Sequence, residues 1–122
     1  MCIRDRYAAA FSAEKLRGVV QALRPDGPAR LAKRRLNFQV APEAACAALT
    51  GFAHGAVSPL GLRHAVPVVL ASAAADVRPA FLWMGGGHPR LKLGVALAEL
   101  RAAVDPIVAD VSDARAAGEA AE

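Results

Sequence analysis

Two cysteines, one tryptophan, one tyrosine and four phenylalanines are all that this 122-residue chain contains of those types, and each scarcity removes a class of protein. Cys2 and Cys46 cannot build a disulfide framework, and no Cys-x-x-Cys pair is present to grip zinc or exchange thiols. The three histidines, His54, His64 and His88, form neither a His-Glu-x-x-His helix nor a Cys–His cluster, so no metal site is expected. A Gly-x-Ser-x-Gly elbow is missing, and so are the Lys-Ser or Lys-Thr pair of a phosphate loop and the third spaced glycine of a dinucleotide fingerprint. No uncharged apolar run approaches the roughly 18 residues of a membrane span, and the N-terminus has no apolar signal-peptide core. A soluble cytoplasmic chain without a membrane partner is the expectation.

What is present is 55% hydrophobic residues, inflated by alanine, against 5% aromatics, which predicts an aliphatic, finely packed core. The length suits one domain. Fifteen Lys and Arg against eleven Asp and Glu give a formal charge of +4, which permits a polyanionic partner without requiring one. The cations cluster at Arg24, Arg30, Lys33, Arg34 and Arg35, and again at Arg63, Arg90 and Lys92. A solvated surface would look the same.

Met1–Arg6 has no periodicity and resembles a translated leader, so it is expected to be non-native and unconnected to the rest of the chain. Tyr7–Ala10 then reads as the stub of a strand that began upstream. Ser12 is a natural N-cap, with Phe11 and Leu16 spaced as a hydrophobic staple and Glu14 at the positive end of the dipole. Leu16, Val19, Val20 and Leu23 recur at helical spacing, and Pro25-Asp26-Gly27-Pro28 breaks the helix. Leu36–Val40 alternates as a half-buried strand does. Pro42 opens a helix through Leu49 that Gly51 closes. Val66–Leu70 and Phe81–Met84 read as short strands, Leu93, Leu97, Leu100 and Val104 as one helical face stopped by Pro106, and Ile107–Val111 as a last strand. From Ser112 onward the tail carries no core pattern and is expected to be disordered. The interleaving predicts an α/β (mixed α+β) fold.

Two glycine-rich turns flank these strands: Gly55-Ala56-Val57-Ser58-Pro59-Leu60-Gly61 and Gly85-Gly86-Gly87. Glycine is used where the backbone turns left-handed or where something must approach the main chain, so the two loops can border one pocket; hairpin punctuation is the alternative. The first loop can aim several N–H groups at an oxygen as an oxyanion cradle does, which needs few side chains. Trp83 and Met84 either wall that pocket or belong to the core. Cys46 sits among alanines with no cation to activate it. Asp105 and Asp110 have no recognisable acid or base partner.

The order Ala13-Glu14-Lys15, Leu36 to Pro42-Glu43, Leu49-Thr50-Gly51-Phe52-Ala53-His54-Gly55, the Gly-x-x-x-Pro loop Gly55–Pro59, Val66-Pro67-Val68, Trp83-Met84-Gly85-Gly86-Gly87 and Leu91-Lys92-Leu93-Gly94 resembles the YbaK/ProX family of aminoacyl-tRNA editing domains across residues 7–111. That resemblance implies a curved central mixed sheet with helices around it, and hydrolysis of the ester in mischarged aminoacyl-tRNA, tRNA-Pro being a frequent target. It implies no metal or organic cofactor, the acceptor end of aminoacyl-tRNA as partner, and association with prolyl-tRNA synthetase. Gly55, Ala56, Val57, Ser58, Pro59, Gly61, Gly85, Gly86 and Gly87 would bind substrate, and Lys33, Arg34, Arg35, Arg63, Arg90 and Lys92 would contact tRNA. Relatives carry a functionally important lysine on an early strand upstream of the segment matching Tyr7. Lys15 and Lys33 match helix positions instead, so no catalytic residue is assigned and hydrolysis by this chain is expected to be impaired. A non-catalytic tRNA- or synthetase-binding module of the same fold is the alternative.

Overall fold

A computed structural model of the chain describes residues 1–6, 9–23 and 36–114. Their elements run β1 (Cys2–Arg4), β2 (Ala9–Phe11), α1 (Ala13–Ala22), α2 (Glu43–Thr50), β3 (Val68–Ala71), α3 (Ser72–Ala75), β4 (Phe81–Gly85), β5 (Lys92–Ala96), α4 (Leu97–Val104), β6 (Ile107–Ala109) and β7 (Ser112–Ala114). The architecture is mixed α/β, as expected, with its strands distributed over three small sheets: β1-β3-β6, β2-β7 and β4-β5.

The parallel sheet is the centre. β3 lies between β1 and β6, with Val69 opposite both Ile3 and Ile107. A central parallel strand is covered on both faces and therefore reads as a continuous apolar run, and Val69, Leu70 and Ala71 are at most 1% exposed. Around them pack Leu16 of α1, Ala74 of α3, Leu97 of α4 and Val111. The core is aliphatic because the chain has almost nothing else to put there; burying each of the larger side chains contributes about 1.5–3 kcal/mol.

Helix boundaries obey their sequence signals. Ser12 is extended and its Oγ accepts from the Lys15 N–H, the expected N-cap. Phe11 sits edge-on to Phe38, with ring centroids 6.4 Å apart. Pro42 caps α2, and Gly51 ends it in the left-handed conformation at φ 80°.

Four expectations are corrected. Cys2–Arg4, read as unconnected, forms β1, and its Cys2 N–H donates to the Pro67 carbonyl at 2.8 Å. Leu36–Val40 forms no strand: it has no ladder partner, Val40 is 95% exposed, and the Leu36 carbonyl instead accepts from Arg17 Nε. Leu93 belongs to strand β5 rather than to the helix after it, because Lys92–Ala96 pairs antiparallel with β4 before α4 begins. Ser112–Ala114, read as disordered, pairs antiparallel with β2; residues 115–122, the expected helix stop at Pro25–Pro28 and the basic run Arg30–Arg35 lie outside the described residues.

Asp110, for which the sequence offered no partner, has one. Lys15 Nζ lies 3.0 Å from Asp110 and 2.8 Å from Asp113, and donates to the Ser112 carbonyl, tying α1 to the β6–β7 junction. Hydrogen bonding to Asp113 and Asp110 raises the Lys15 pKa, and the Lys15 hydrogen bond lowers that of Asp110. The folded carboxyl is more acidic than the unfolded one, so its stabilisation is present above the ordinary carboxylate range and is lost as pH falls through the depressed value. Lys15→Met should therefore flatten the acid limb of a melting-temperature profile, and an unchanged acid limb would remove the cluster from the account of stability.

Candidate functional site

The loop after α2 is closed at its base by the helix it leaves. The Arg63 N–H donates to the Thr50 carbonyl and the His64 N–H to the Leu49 carbonyl, both at 3.0 Å. Those carbonyls are among the four that a helix C-terminus leaves without intrahelical partners, so their need for donors folds residues 51–64 back into a compact surface loop. Thr50 adds to this: its hydroxyl donates to the Cys46 carbonyl and accepts from the Phe52 N–H. Inside the loop, Ser58 is buried and its Oγ accepts from the Leu60 N–H.

The loop then meets the second glycine turn backbone to backbone. The Gly87 N–H donates to the Ala56 carbonyl at 3.0 Å. A Cβ on Gly85 would collide with the Val57 carbonyl oxygen, so the strand end can lie this close to the loop only without a side chain. The same Val57 oxygen accepts from Arg4 Nη2 at 2.9 Å, while Arg4 Nε is buried with no partner among the described residues.

Beside this junction lies a cavity of about 620 Å³, within the size range of small-molecule sites. Its apolar part comes from Leu70, Ala74, Leu82 and Met84, and its polar part from Arg4, Asp5, Arg6 and Lys92, with Gly55, Val57, Gly85 and Trp83 completing the wall. Asp5 and Arg6 form an ion pair at 3.8 Å.

Of the residues expected to bind substrate, Gly55, Val57 and Gly85 line the cavity. Ala56, Ser58 and Pro59 are buried beneath the loop, and Gly61 is exposed away from the lining. Gly86 packs against Leu91 and Gly87 against the Phe52 ring, so these two shape the turn rather than the wall. The expected cradle is smaller than the loop suggests. The Ala56 N–H is used by the Ala53 carbonyl and the Gly86 N–H by the Leu91 carbonyl, leaving the Gly55, Val57, Ser58 and Gly61 amides without a partner among the described residues, of which Gly55 and Val57 belong to the lining.

Of the expected tRNA contacts, Lys92 reaches the cavity wall. Arg63 lies over Gly51 and Arg90 is exposed in the β4–β5 turn. Lys33, Arg34 and Arg35 fall outside the described residues. Lys15 is committed to Asp110 and Asp113 and takes no part in the cavity lining. Among the described residues no three of His, Cys, Asp and Glu come together as a metal set, and no helix is long and apolar enough to cross a membrane.

Sequence reasoning missed Arg4, Asp5 and Arg6, because a three-residue strand is too short to show periodicity. It also placed Leu70 and Ala74 in no site, since their chemistry is that of ordinary core.

A family profile described as the aminoacyl-tRNA editing domain matches residues 27–103. No curated protein matches the sequence. Among solved structures, the chain is similar to a scaffold from computational grafting of linear epitopes, at 28% identity and TM-score 0.66, covering 86% of this chain and 59% of that one. It is similar to a crystal structure presented as a candidate trans-editing enzyme for prolyl-tRNA synthetase, at 26% identity and TM-score 0.66, covering 86% of this chain and 57% of that one. A hypothetical protein shares the fold at 20% identity and TM-score 0.64. The chain thus spans less than three-fifths of each of these structures.

The Gly85 contact can be tested directly. Gly85→Ala should push the Val57 carbonyl away, cost about 1–3 kcal/mol as an overpacked position does, and speed proteolytic cleavage within residues 52–64; unchanged melting and cleavage would show that the loop does not depend on that approach.

Proposed function

Because the chain belongs to the aminoacyl-tRNA editing domain family, we propose that its cavity receives the aminoacylated 3′ end of a mischarged tRNA and that the protein hydrolyses the ester bond there. The observation that carries this reading is the junction of the two glycine segments at the cavity wall, with Gly55, Val57 and Gly85 on its lining and the Arg4 guanidinium on the Val57 carbonyl.

In this reading the apolar side of the cavity, Leu70, Ala74, Leu82 and Met84, holds the amino-acid side chain. Such a surface separates amino acids by volume, about 1–3 kcal/mol for one methylene. The amides of Gly55 and Val57, unpartnered among the described residues and on the lining, are the proposed donors for an oxyanion, and a preorganised donor of this kind typically contributes about 2.7–4 kcal/mol to lowering the barrier. Water attacks the ester carbonyl, the tetrahedral oxyanion collapses, and the ribose hydroxyl leaves with the proton. The carboxylate of the described lining, Asp5, is paired with Arg6 at 3.8 Å, so a hydroxyl or amine of the substrate itself is the proposed base that takes the water's proton. The candidate trans-editing enzyme for prolyl-tRNA synthetase among the similar structures supports tRNA-Pro as the class, with the synthetase as a partner. A non-catalytic tRNA- or synthetase-binding module is the second reading, favoured by the described lining, whose one lysine is Lys92 of β5 and not a lysine of an early strand.

The test is release of labelled amino acid from tRNA-Pro carrying alanine or cysteine, against correctly charged tRNA-Pro. Preferential release from a mischarged tRNA is expected, and Gly55→Val should abolish it with the fold retained. The position has open space for a side chain, but its φ of +76° would cost roughly 1–2 kcal/mol of backbone strain that is relieved by moving the loop. Binding without release would select the non-catalytic module. Affinity for tRNA should fall steeply as salt rises; a flat response would count against phosphate contacts.

A further inference from the structure

The face of the β4–β5 hairpin that carries Trp83 is poorly explained by folding. Residues directly opposite in an antiparallel pair share a face, and the register pairs Phe81 with Ala96, Trp83 with Gly94 and Gly85 with Lys92. One face therefore carries two aromatic rings, three small residues and a lysine. Phe81 and Trp83 meet edge to face, with centroids 5.5 Å apart at 69°, and both rings rest on Gly94, where a Cβ would come within 2.9 Å of each. Covering that bare glycine accounts for one ring edge of each residue. It does not account for an indole that remains 72% exposed. An open tryptophan is costly to display in water, and single-stranded nucleic-acid sites use such rings as stacking platforms beside cations.

Three further observations single out the occupant. Trp83 and Lys92 both line the cavity proposed to hold the ester, so whatever stacks on the ring is joined closely to what enters the cavity. Lys92 makes no ion pair among the described residues, leaving its charge available for a phosphate. The loop carrying Val57 lies against Gly85 on that same face, which puts the donors next to the platform. We infer that the Trp83 indole, supported by Phe81, stacks an unpaired nucleobase of the tRNA acceptor end while Lys92 contacts a neighbouring phosphate. Trp83 is thus a positioning residue that sets the register of the ester on the Gly55 and Val57 amides. This rests on the reading of the cavity as an editing site, and adds to it the residue that recognises the nucleotide next to the ester.

Trp83 is the sole tryptophan, so its fluorescence reports on the contact without a label. A short single-stranded RNA with the acceptor-end sequence is titrated into the full chain, beside the same RNA lacking its terminal base. The intact RNA should quench the indole and the abasic one should quench it less. Read by the anisotropy of a fluorescently labelled RNA, since these variants have no indole, Trp83→Ala should weaken RNA binding at least fivefold, the lower end of what a stacked base contributes, while Trp83→Phe retains most of it; circular dichroism checks that each variant is folded. Lys92→Gln should reduce the salt slope by about one phosphate contact. In deacylation, Trp83→Ala should raise KM severalfold more for aminoacyl-tRNA than for a small aminoacyl ester without a nucleoside; an equal rise for both would overturn the platform. RNA binding that is salt-sensitive but indifferent to Trp83→Ala would overturn the platform and leave the editing reading standing. No binding of RNA or of tRNA by the unaltered chain would overturn both.

Discussion

The approach of the Val57 carbonyl to the bare backbone of Gly85 is the contact on which the rest of the cavity depends. One carbonyl is held from two sides, by a strand end that has no Cβ to exclude it and by the Arg4 guanidinium that donates to it. The Gly87 N–H fixes the neighbouring Ala56 carbonyl. With those oxygens engaged, the loop's remaining amides are oriented by default, because a peptide plane whose oxygen is fixed has little freedom left for its N–H. That junction is built of main chain, with Arg4 the side chain that donates to it.

The central sheet makes that arrangement possible. β3 supplies Leu70 to the cavity while its neighbours Val69 and Ala71 anchor the core, and α3 comes at once with Ala74. Leu70 and Ala74 thus belong to the core cluster and to the cavity lining at once. The same aliphatic composition that forces fine packing also supplies the cavity's apolar lining, Leu70, Ala74, Leu82 and Met84. At the far side, the Lys15 cluster joins α1 to the β6–β7 junction through exposed charges, where solvent screening keeps each pair modest.

Local chemistry and partner availability divide the chain's structure between them. Helix ends were legible: Ser12, Pro42 and Gly51 each do what their own chemistry dictates within a few residues. The glycine loops were legible as places where backbone would be approached. Short strands were not. Cys2–Arg4 and Ser112–Ala114 have three residues each, too few for alternation to stand out, and both exist because a partner strand was already in place to complete their hydrogen bonds. Leu36–Val40 is the converse, a clear alternation without a partner, which leaves Val40 in water.

The sequence by itself determined the class of fold, the aliphatic core, the helix caps and the two glycine segments, together with the family to which they point, because all of these are encoded in neighbouring residues or in composition. Tertiary structure alone decided that Gly55, Val57 and Gly85 reach the cavity while Gly86 and Gly87 pack against Leu91 and Phe52. It also decided that Arg4 serves the loop, that Lys15 serves Asp110 and Asp113, and that Trp83 stands open beside Lys92. Those outcomes depend on contacts between residues dozens of positions apart, and no local pattern fixes which of several possible partners a side chain or a carbonyl will meet.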